Sequence, residues 1–219
     1  SRQQLAKELE PGLNALFGLE YKNYENQHTE IFDIENSDRA FEEEVMLSGF
    51  ANAAVKSEGS AVTFDTANES FTSRYTHETI ALAFAITEEA IEDNLYDRLA
   101  SRYTKALARS MAQTKQIKAA SPLNNGFNGN FKAGDGSNLF ASNHPTINGT
   151  FSNTLATAAD LNETSLEQAM IDIAALTDER GLKIAAKAVK MISPSALQFT
   201  ADRLMNSAQR VGTADNDIN

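Results

Sequence analysis

The chain has 219 residues, of which 42% are hydrophobic, and its formal charge is −11. This length and apolar content are enough for one large domain or two small ones with a core, whereas the negative charge argues against a simple nucleic-acid-binding protein, because phosphate contacts need a basic surface. The absence of cysteine excludes disulfides, thiolate metal sites and a cysteine nucleophile. Since no apolar run approaches the roughly 18 residues of a membrane span, we expect no membrane partner.

The first forty residues are predicted to form an N-terminal arm. Leucines and Phe17 recur at helical spacing near the start, but Pro11 and Gly12 are expected to break the helix. Residues 21–37 contain few apolar side chains, and a segment that cannot bury itself is either a surface loop or an arm that lies on a neighbouring subunit.

Residues 41–86 have the pattern of a long two-stranded hairpin. Val45, Leu47 and Phe50 indicate one strand, residues 62–64 a short piece, and residues 71–86 a long strand that ends in clean alternation. Between them lies a polar tip that contains Lys56 and Glu58. An isolated hairpin is marginally stable in water, so its outer part is expected to lean on another subunit.

Residues 87–119 are predicted to form one long helix without Gly or Pro. Thr87 is a suitable N-cap, Glu88 and Glu89 fill the first turn, and Lys115 and Lys118 fill the last, which is the charge order that a helix dipole favours. At 100° per residue one arc of the helix is apolar and is predicted to face the core. Its members are Leu95, Leu99, Tyr103, Ala106 and Ile117.

A basic edge lies beside that apolar arc. It consists of Arg98, Arg102, Lys105 and Arg109. It is interpreted in one of three ways: as a solvated helix face, as a contact for packaged nucleic acid, or as a contact for acidic residues of the same or another subunit. The acidic candidates are Glu35, Asp38, Glu42, Glu43 and Glu44.

The second half of the chain begins with a glycine- and asparagine-rich loop over residues 121–153. A capping box at 164–167 predicts a helix that stops near Gly181, residues 183–192 have the pattern of a strand, and Pro194 is expected at the first position of another helix. Helix, strand and helix in this order favour a small α/β subdomain.

No motif in the sequence points to catalysis. His28, His77 and His144 are isolated, no Gly-x-Ser-x-Gly elbow or phosphate-binding glycine loop is present, and the acidic C-terminus lacks the pattern of a calcium loop. We therefore predict no enzyme activity, no cofactor and no metal.

The order of these parts, together with several local motifs, resembles the major capsid proteins of tailed bacteriophages and prophages that have the Hong Kong ninety-seven fold. The motifs are Asp135-Gly136-Ser137-Asn138-Leu139-Phe140 with His144-Pro145, then Asp178-Glu179-Arg180-Gly181-Leu182-Lys183-Ile184, then Ser193-Pro194 through Leu204, and the closing Gly212-Thr213-Ala214-Asp215-Asn216-Asp217-Ile218-Asn219. The resemblance covers most of residues 40–219.

The resemblance implies an α+β capsid fold with four parts. They are an N-terminal arm (1–40), an extended hairpin loop (41–79), a peripheral domain (80–154) with a spine helix at 87–119, and the start of an α/β axial domain (155–219) that is expected to continue beyond Asn219. Such subunits assemble in the bacterial cytoplasm as hexamers and pentamers of an icosahedral head that encloses double-stranded DNA, with scaffolding, portal or decoration proteins as further partners.

The predicted subunit contacts are the basic edge, the acidic residues Glu42, Glu43 and Glu44, and the loop tip with Lys56 and Glu58. An encapsulin-like compartment shell is the alternative with the same fold. A soluble hydrolase that uses acidic residues near the 121–153 loop is the alternative from another class.

Overall fold

The computed structural model describes residues 2–86 and 96–207, with side chains from residue 10 and, after the gap, from residue 98. Helices and strands are both present, which confirms an α+β protein. The chain divides into two compact units, one of residues 1–42 and 74–131 and the other of residues 43–73 and 132–219.

The first unit is built on two helices that pack along each other, α1 (Arg2–Asn23) and α2 (Tyr96–Asn124). The predicted break near Pro11 is wrong, because α1 continues through Pro11 and Gly12. Proline removes one backbone hydrogen bond at a cost of about 3 kcal/mol, and packing on α2 compensates for that loss. Leu13, Leu16 and Phe17 are half-buried on α1.

The described part of α2 ends later than predicted. Its last residue is Asn124 rather than Ala119, and Pro122 lies inside its last turn. Lys115 and Lys118 therefore do not fill that turn, while the predicted cap and acidic first turn at 87–89 lie outside the described residues. Asn125 closes the helix instead: its backbone N–H and its side-chain Nδ2 both donate to the Ser121 carbonyl, each at 3.0 Å.

The buried face of α2 differs from the predicted apolar arc. Ala100 and Ala108 are fully buried and Thr104 is 3% exposed, so the inner line has a spacing of four residues. Tyr103 and Ile117, which were expected inside, are 45% and 60% exposed. The buried line lies roughly a third of the way round the helix from the predicted arc, because small side chains allow the backbones to approach and the large apolar ones do not.

A short 3-10 helix follows α1 and contacts α2. It spans Gln27–Glu30 and buries His28. Nearby, Gln116 Nε2 on α2 donates to the Glu25 carbonyl at 2.9 Å, so the segment after α1 is fixed to α2 rather than free.

The hairpin is shorter than predicted. Strand β1 covers Phe41–Leu47, β2 covers Glu69–Thr76, and the two form a two-stranded sheet. Residues 62–64 and 77–86 are not strands. The alternating pattern at 80–86 therefore has no partner strand among the described residues, and a strand cannot form without one.

The second unit contains a small hairpin that the sequence did not predict. Strands β3 (His144–Thr146) and β4 (Gly149–Phe151) pair antiparallel, with His144 opposite Phe151. The connection at Ile147-Asn148 uses Gly149 at φ +144°, a conformation that favours glycine. The loop predicted over 121–153 therefore has local regular structure.

Helix α3 (Glu163–Ala175) begins two residues earlier than predicted, because its N-cap is Asn162 rather than Thr164. Asn162 accepts from the Ser165 N–H, and Ser165 Oγ accepts from the Asn162 N–H, which together form the capping box. Thr164 lies inside the helix, and the helix ends at Ala175, well before Gly181.

The predicted strand at 183–192 is absent: in the described structure Lys183 makes only an isolated bridge to Thr177. After it, Pro194 caps a 3-10 turn (Ser195–Leu197) that leads into α4 (Gln198–Asn206). Pro194 is thus just before the helical segment rather than at its first position.

Candidate assembly surfaces

The loop between β1 and β2, residues 48–68, is rich in uncovered apolar side chains. Phe50, Val55, Val62 and Phe64 are 58%, 98%, 65% and 94% exposed. Isolated exposed apolar residues are ordinary, but four within fifteen positions of one loop form a surface that water solvates poorly. The loop is therefore a candidate for burial against another molecule.

The described residues bury few hydrophobic side chains completely. Among them, the fully buried hydrophobic side chains are those of Ala100 and Ala108 alone. Apolar side chains that a partner covers would add to this small internal core.

The tip of the same loop is polar, as predicted. The Ser60 N–H donates to the Ser57 carbonyl at 3.2 Å, and Gly59 has φ +81°. Lys56 lies just before this turn and Glu58 lies within it, and both are exposed. Both predicted contact residues of the tip are thus available to a partner.

The basic edge of α2 lies on the side away from its buried line. Arg98, Arg102 and Arg109 are exposed, and in the described part of the chain no ion pair joins them to a carboxylate. Lys105 instead pairs with Glu20 of α1 at 3.4 Å. Among the described residues, three of the four cations therefore have no carboxylate partner in an ion pair.

Three of the predicted acidic residues, Glu42, Glu43 and Glu44, lie on β1, whereas Glu35 and Asp38 precede it. Glu42 Oε1 accepts from Ser37 Oγ at 2.6 Å, and Glu42 Oε2 pairs with Arg39 at 3.6 Å. Glu43 and Glu44 are exposed. Glu42 thus already has partners within its own unit, whereas Glu44 presents its carboxylate to solvent.

A buried pair of ionisable side chains, Asp135 and His144, was missed by the sequence analysis. Asp135 Oδ2 and His144 Nδ1 are 2.6 Å apart, and the two side chains are 7% and 6% exposed. His144 also stacks on Phe151 with ring centroids 4.9 Å apart. The eight intervening residues gave no signal, because the pair forms only when the 133–138 turn folds back on β3.

The surroundings of Asp135 favour its charged form. Burial raises its pKa, but hydrogen bonds from His144 and from the Ser137 N–H lower it more, so the pKa lies below the ordinary value of 3.8. The Ser137 N–H donates to Asp135 Oδ1 at 2.9 Å. The pair ties the turn to the hairpin.

Among the described residues, no group of three or more His, Asp or Glu side chains could hold a metal ion. The helices of this part of the chain also include none that is long and apolar enough to span a membrane.

Comparison with known proteins gives one match. The profile of a family described as phage capsid protein matches residues 69–219, beginning at the first residue of β2. No curated protein and no solved structure matches the chain. The match confirms the resemblance to phage major capsid proteins, indicates a structural component of the virion capsid, and favours neither the cargo compartment nor the hydrolase. The chain belongs to this family of phage capsid proteins.

Proposed function

We propose that many copies of this chain assemble as hexamers and pentamers into an icosahedral head of the Hong Kong ninety-seven type, which encloses double-stranded DNA. The observation that carries the proposal is the exposed apolar loop 48–68 in a chain of a phage capsid family. A surface of this kind gains free energy when a second subunit covers it, at about 25 cal/mol per Å² of apolar area.

In this assembly residues 1–40 act as the arm, 41–79 as the extended loop, 80–154 as the peripheral domain and 155–219 as the start of the axial domain. Assembly takes place in the cytoplasm of the host, with scaffolding, portal or decoration proteins as further partners. The shell encloses the DNA without any catalytic step, because its subunits need only complementary surfaces that repeat from copy to copy.

The loop is the first proposed subunit contact. Val55 and Phe64, each more than nine-tenths exposed, lie on the neighbouring subunit, and the tip residues Lys56 and Glu58 pair with charges there. Burial of the two apolar side chains drives the contact, while the tip charges select its register.

The charged surfaces are the second proposed contact. Arg98, Arg102 and Arg109, with Lys105 at their side, meet the acidic residues Glu42, Glu43 and Glu44 of a neighbouring subunit. The exposure of the three arginines supports this, since exposed cations add little stability to the chain itself. Packaged DNA is the other polyanion that these arginines could meet.

Electron microscopy of the purified protein tests the proposal. Wild-type protein is expected to form closed shells or capsomers, and shells isolated from a lysogen should protect DNA from nuclease. A double variant, Val55→Ser with Phe64→Ser, should retain wild-type circular dichroism but lose assembly, while the polar control Thr63→Ser should assemble normally. A stable monomer at high concentration, or normal shells of the double variant, would refute the proposal.

The charged contact has a separate test. Reversal of the three arginines to Glu should prevent assembly without loss of helix, and Glu42→Lys with Glu44→Lys in the same chain should restore it. A matched reversal at Lys183, Lys187 and Lys190, which are exposed, controls for net charge. Normal shells of the arginine variant would exclude a subunit contact, and shells that form but package less DNA would assign the edge to DNA.

A further inference from the structure

The motif Asp178–Lys183, which the capsid function does not explain, folds into a rigid turn. Thr177 and Lys183 form an antiparallel bridge, and the Asp178 N–H donates to the Leu182 carbonyl at 2.8 Å. Asp178 Oδ1 accepts from the backbone N–H groups of Arg180 at 2.9 Å and Leu182 at 2.8 Å. Gly181 has φ +86°, where a side chain would be strained. Asp178 and Gly181 therefore fix the backbone on both sides of Arg180.

This turn directs the Arg180 side chain to the base of the extended loop. Arg180 Nη2 donates to the Thr66 carbonyl at 2.6 Å, and Nε donates to the Gly49 carbonyl at 3.3 Å. The side chain is 14% exposed. Gly49 and Thr66 lie at opposite ends of loop 48–68, so one guanidinium joins the outgoing half of the loop to the returning half.

Asp65 completes the arrangement. Its Oδ2 accepts from the Ala51 N–H at 2.8 Å, its Oδ1 accepts from the Thr66 N–H at 2.9 Å, and Oδ1 lies 3.5 Å from Arg180 Nη2. The Ala51 and Thr66 N–H groups, helped by Arg180, hold the pKa of Asp65 below its ordinary value. The carboxylate is thus charged at neutral pH and links both halves of the loop to the Arg180 guanidinium.

The two halves of the loop also contact each other directly, next to the Arg180 contacts. The Ser48 N–H donates to the Asn68 carbonyl at 2.9 Å, and Ser48 Oγ accepts from the Asn68 N–H at 2.9 Å. Between Ala51 and Asp65, the backbone hydrogen bond of the tip turn joins Ser60 to Ser57 and does not link the outgoing half of the loop to the returning half. The base of the loop is therefore the place where its path is set.

We propose that Arg180 is a positioning residue that clamps the base of loop 48–68 through Gly49, Thr66 and Asp65, and so fixes the path on which the loop leaves its own subunit toward a neighbour. The part of this statement that concerns the neighbour rests on the proposed function. Arginine suits the task because its planar fork donates in two directions, whereas a lysine ammonium is a single point charge.

Hydrogen exchange on the unassembled protein tests the clamp. Arg180→Ala and Arg180→Lys should both raise exchange at Ala51 and Thr66 by about ten- to hundredfold, the loss expected when hydrogen bonds to charged groups are broken. Asp65→Asn should give the same local change. The control Arg203→Ala, whose guanidinium donates to Thr200 Oγ1 at 3.4 Å within α4, should leave exchange in the loop unchanged.

Two outcomes would overturn the clamp: unchanged loop exchange in Arg180→Ala, or a uniform rise over the whole second unit with a lower urea midpoint, which would indicate a general stability defect. Electron microscopy then separates the assembly role. Loosened loops with normal shells would overturn that role and leave the proposed function intact. Wild-type protein without shells would refute the proposed function, while the exchange result would still decide whether Arg180 holds the loop.

Discussion

The substitution Ala108→Leu should measure how closely α1 and α2 approach each other. Ala108 is fully buried on α2, and leucine adds three carbon atoms at that point. If space were available, burial of those atoms would stabilise the protein by about 2.4 kcal/mol, at 0.8 kcal/mol per carbon. The cavity of about 320 Å³ beside these helices is lined by Thr104 and Leu107 but not by Ala108. We therefore expect overpacking, which costs about 1–3 kcal/mol.

Urea unfolding of the unassembled protein, followed by circular dichroism, measures this cost. The midpoint of Ala108→Leu should fall by about 0.5–1 M for a typical m-value. Ala106→Leu is the matched control, because Ala106 lies two residues away on the same helix and is exposed; its midpoint should stay within experimental error. Equal shifts in both variants, or a higher midpoint for Ala108→Leu, would refute the assigned buried face.

Three further predictions concern the second unit. Asn162→Ala should destabilise it by about 1 kcal/mol through loss of the α3 cap, whereas Thr164→Ala should be nearly neutral in the same urea experiment. A larger loss of stability in Thr164→Ala than in Asn162→Ala would instead support Thr164 as the cap. A Cβ at Gly134 would collide with the Ser73 side chain and approach Phe71 at 3.3 Å, so Gly134→Ala should cost about 1–3 kcal/mol, part of which Ser73→Gly should recover; strict additivity of the two substitutions would contradict this contact. Asp135→Asn should cost about 1.5–3 kcal/mol at neutral pH. Because the pKa of Asp135 is lowered in the folded state, the stabilisation is present above its ordinary pKa of 3.8 and is lost as the pH falls through the folded-state pKa. A difference from wild type that does not shrink as the pH is lowered through this range would exclude the ionised Asp135 carboxylate as its source.

The elements that the sequence predicted well are those specified by local chemistry. Gly59 and the serines around it are enough for a turn, and a long run without Gly or Pro is enough for a helix at 96–119. The order of such elements, with short motifs, also led to the capsid family. Each of these inferences needs only neighbours in sequence.

The elements that failed depend on distant partners. The segment with alternating apolar residues at 80–86 and the segment rich in strand-forming residues at 183–192 form no strand here. A strand requires a second strand for its hydrogen bonds. Pro11 argued against a helix that packing on α2 stabilises. The apolar arc of α2 was assigned by hydrophobicity, while its contact with α1 is decided by side-chain size at Ala100 and Ala108.

The candidate contact surfaces were predictable in part. Exposed charges at Arg98, Arg102, Arg109 and the loop tip follow from pattern alone. The clamp of Arg180 on Gly49 and Thr66 does not, because it joins positions 131 and 114 residues apart. Asp135 and His144 are close in sequence, yet their pairing depends on a turn and a hairpin of three-residue strands that are too short to leave a periodic signal.

Pro11 gives α1 an uneven resistance to hydrogen exchange. Its ring removes the hydrogen bond that would hold the Lys7 carbonyl, so residues 2–10 are linked to the rest of the helix by fewer backbone bonds. Residues 13–17 pack on the unit through half-buried side chains. Amide exchange should therefore be fast before Pro11 and slower after it, and the N-terminal end of α1 should open without unfolding the remainder of its unit.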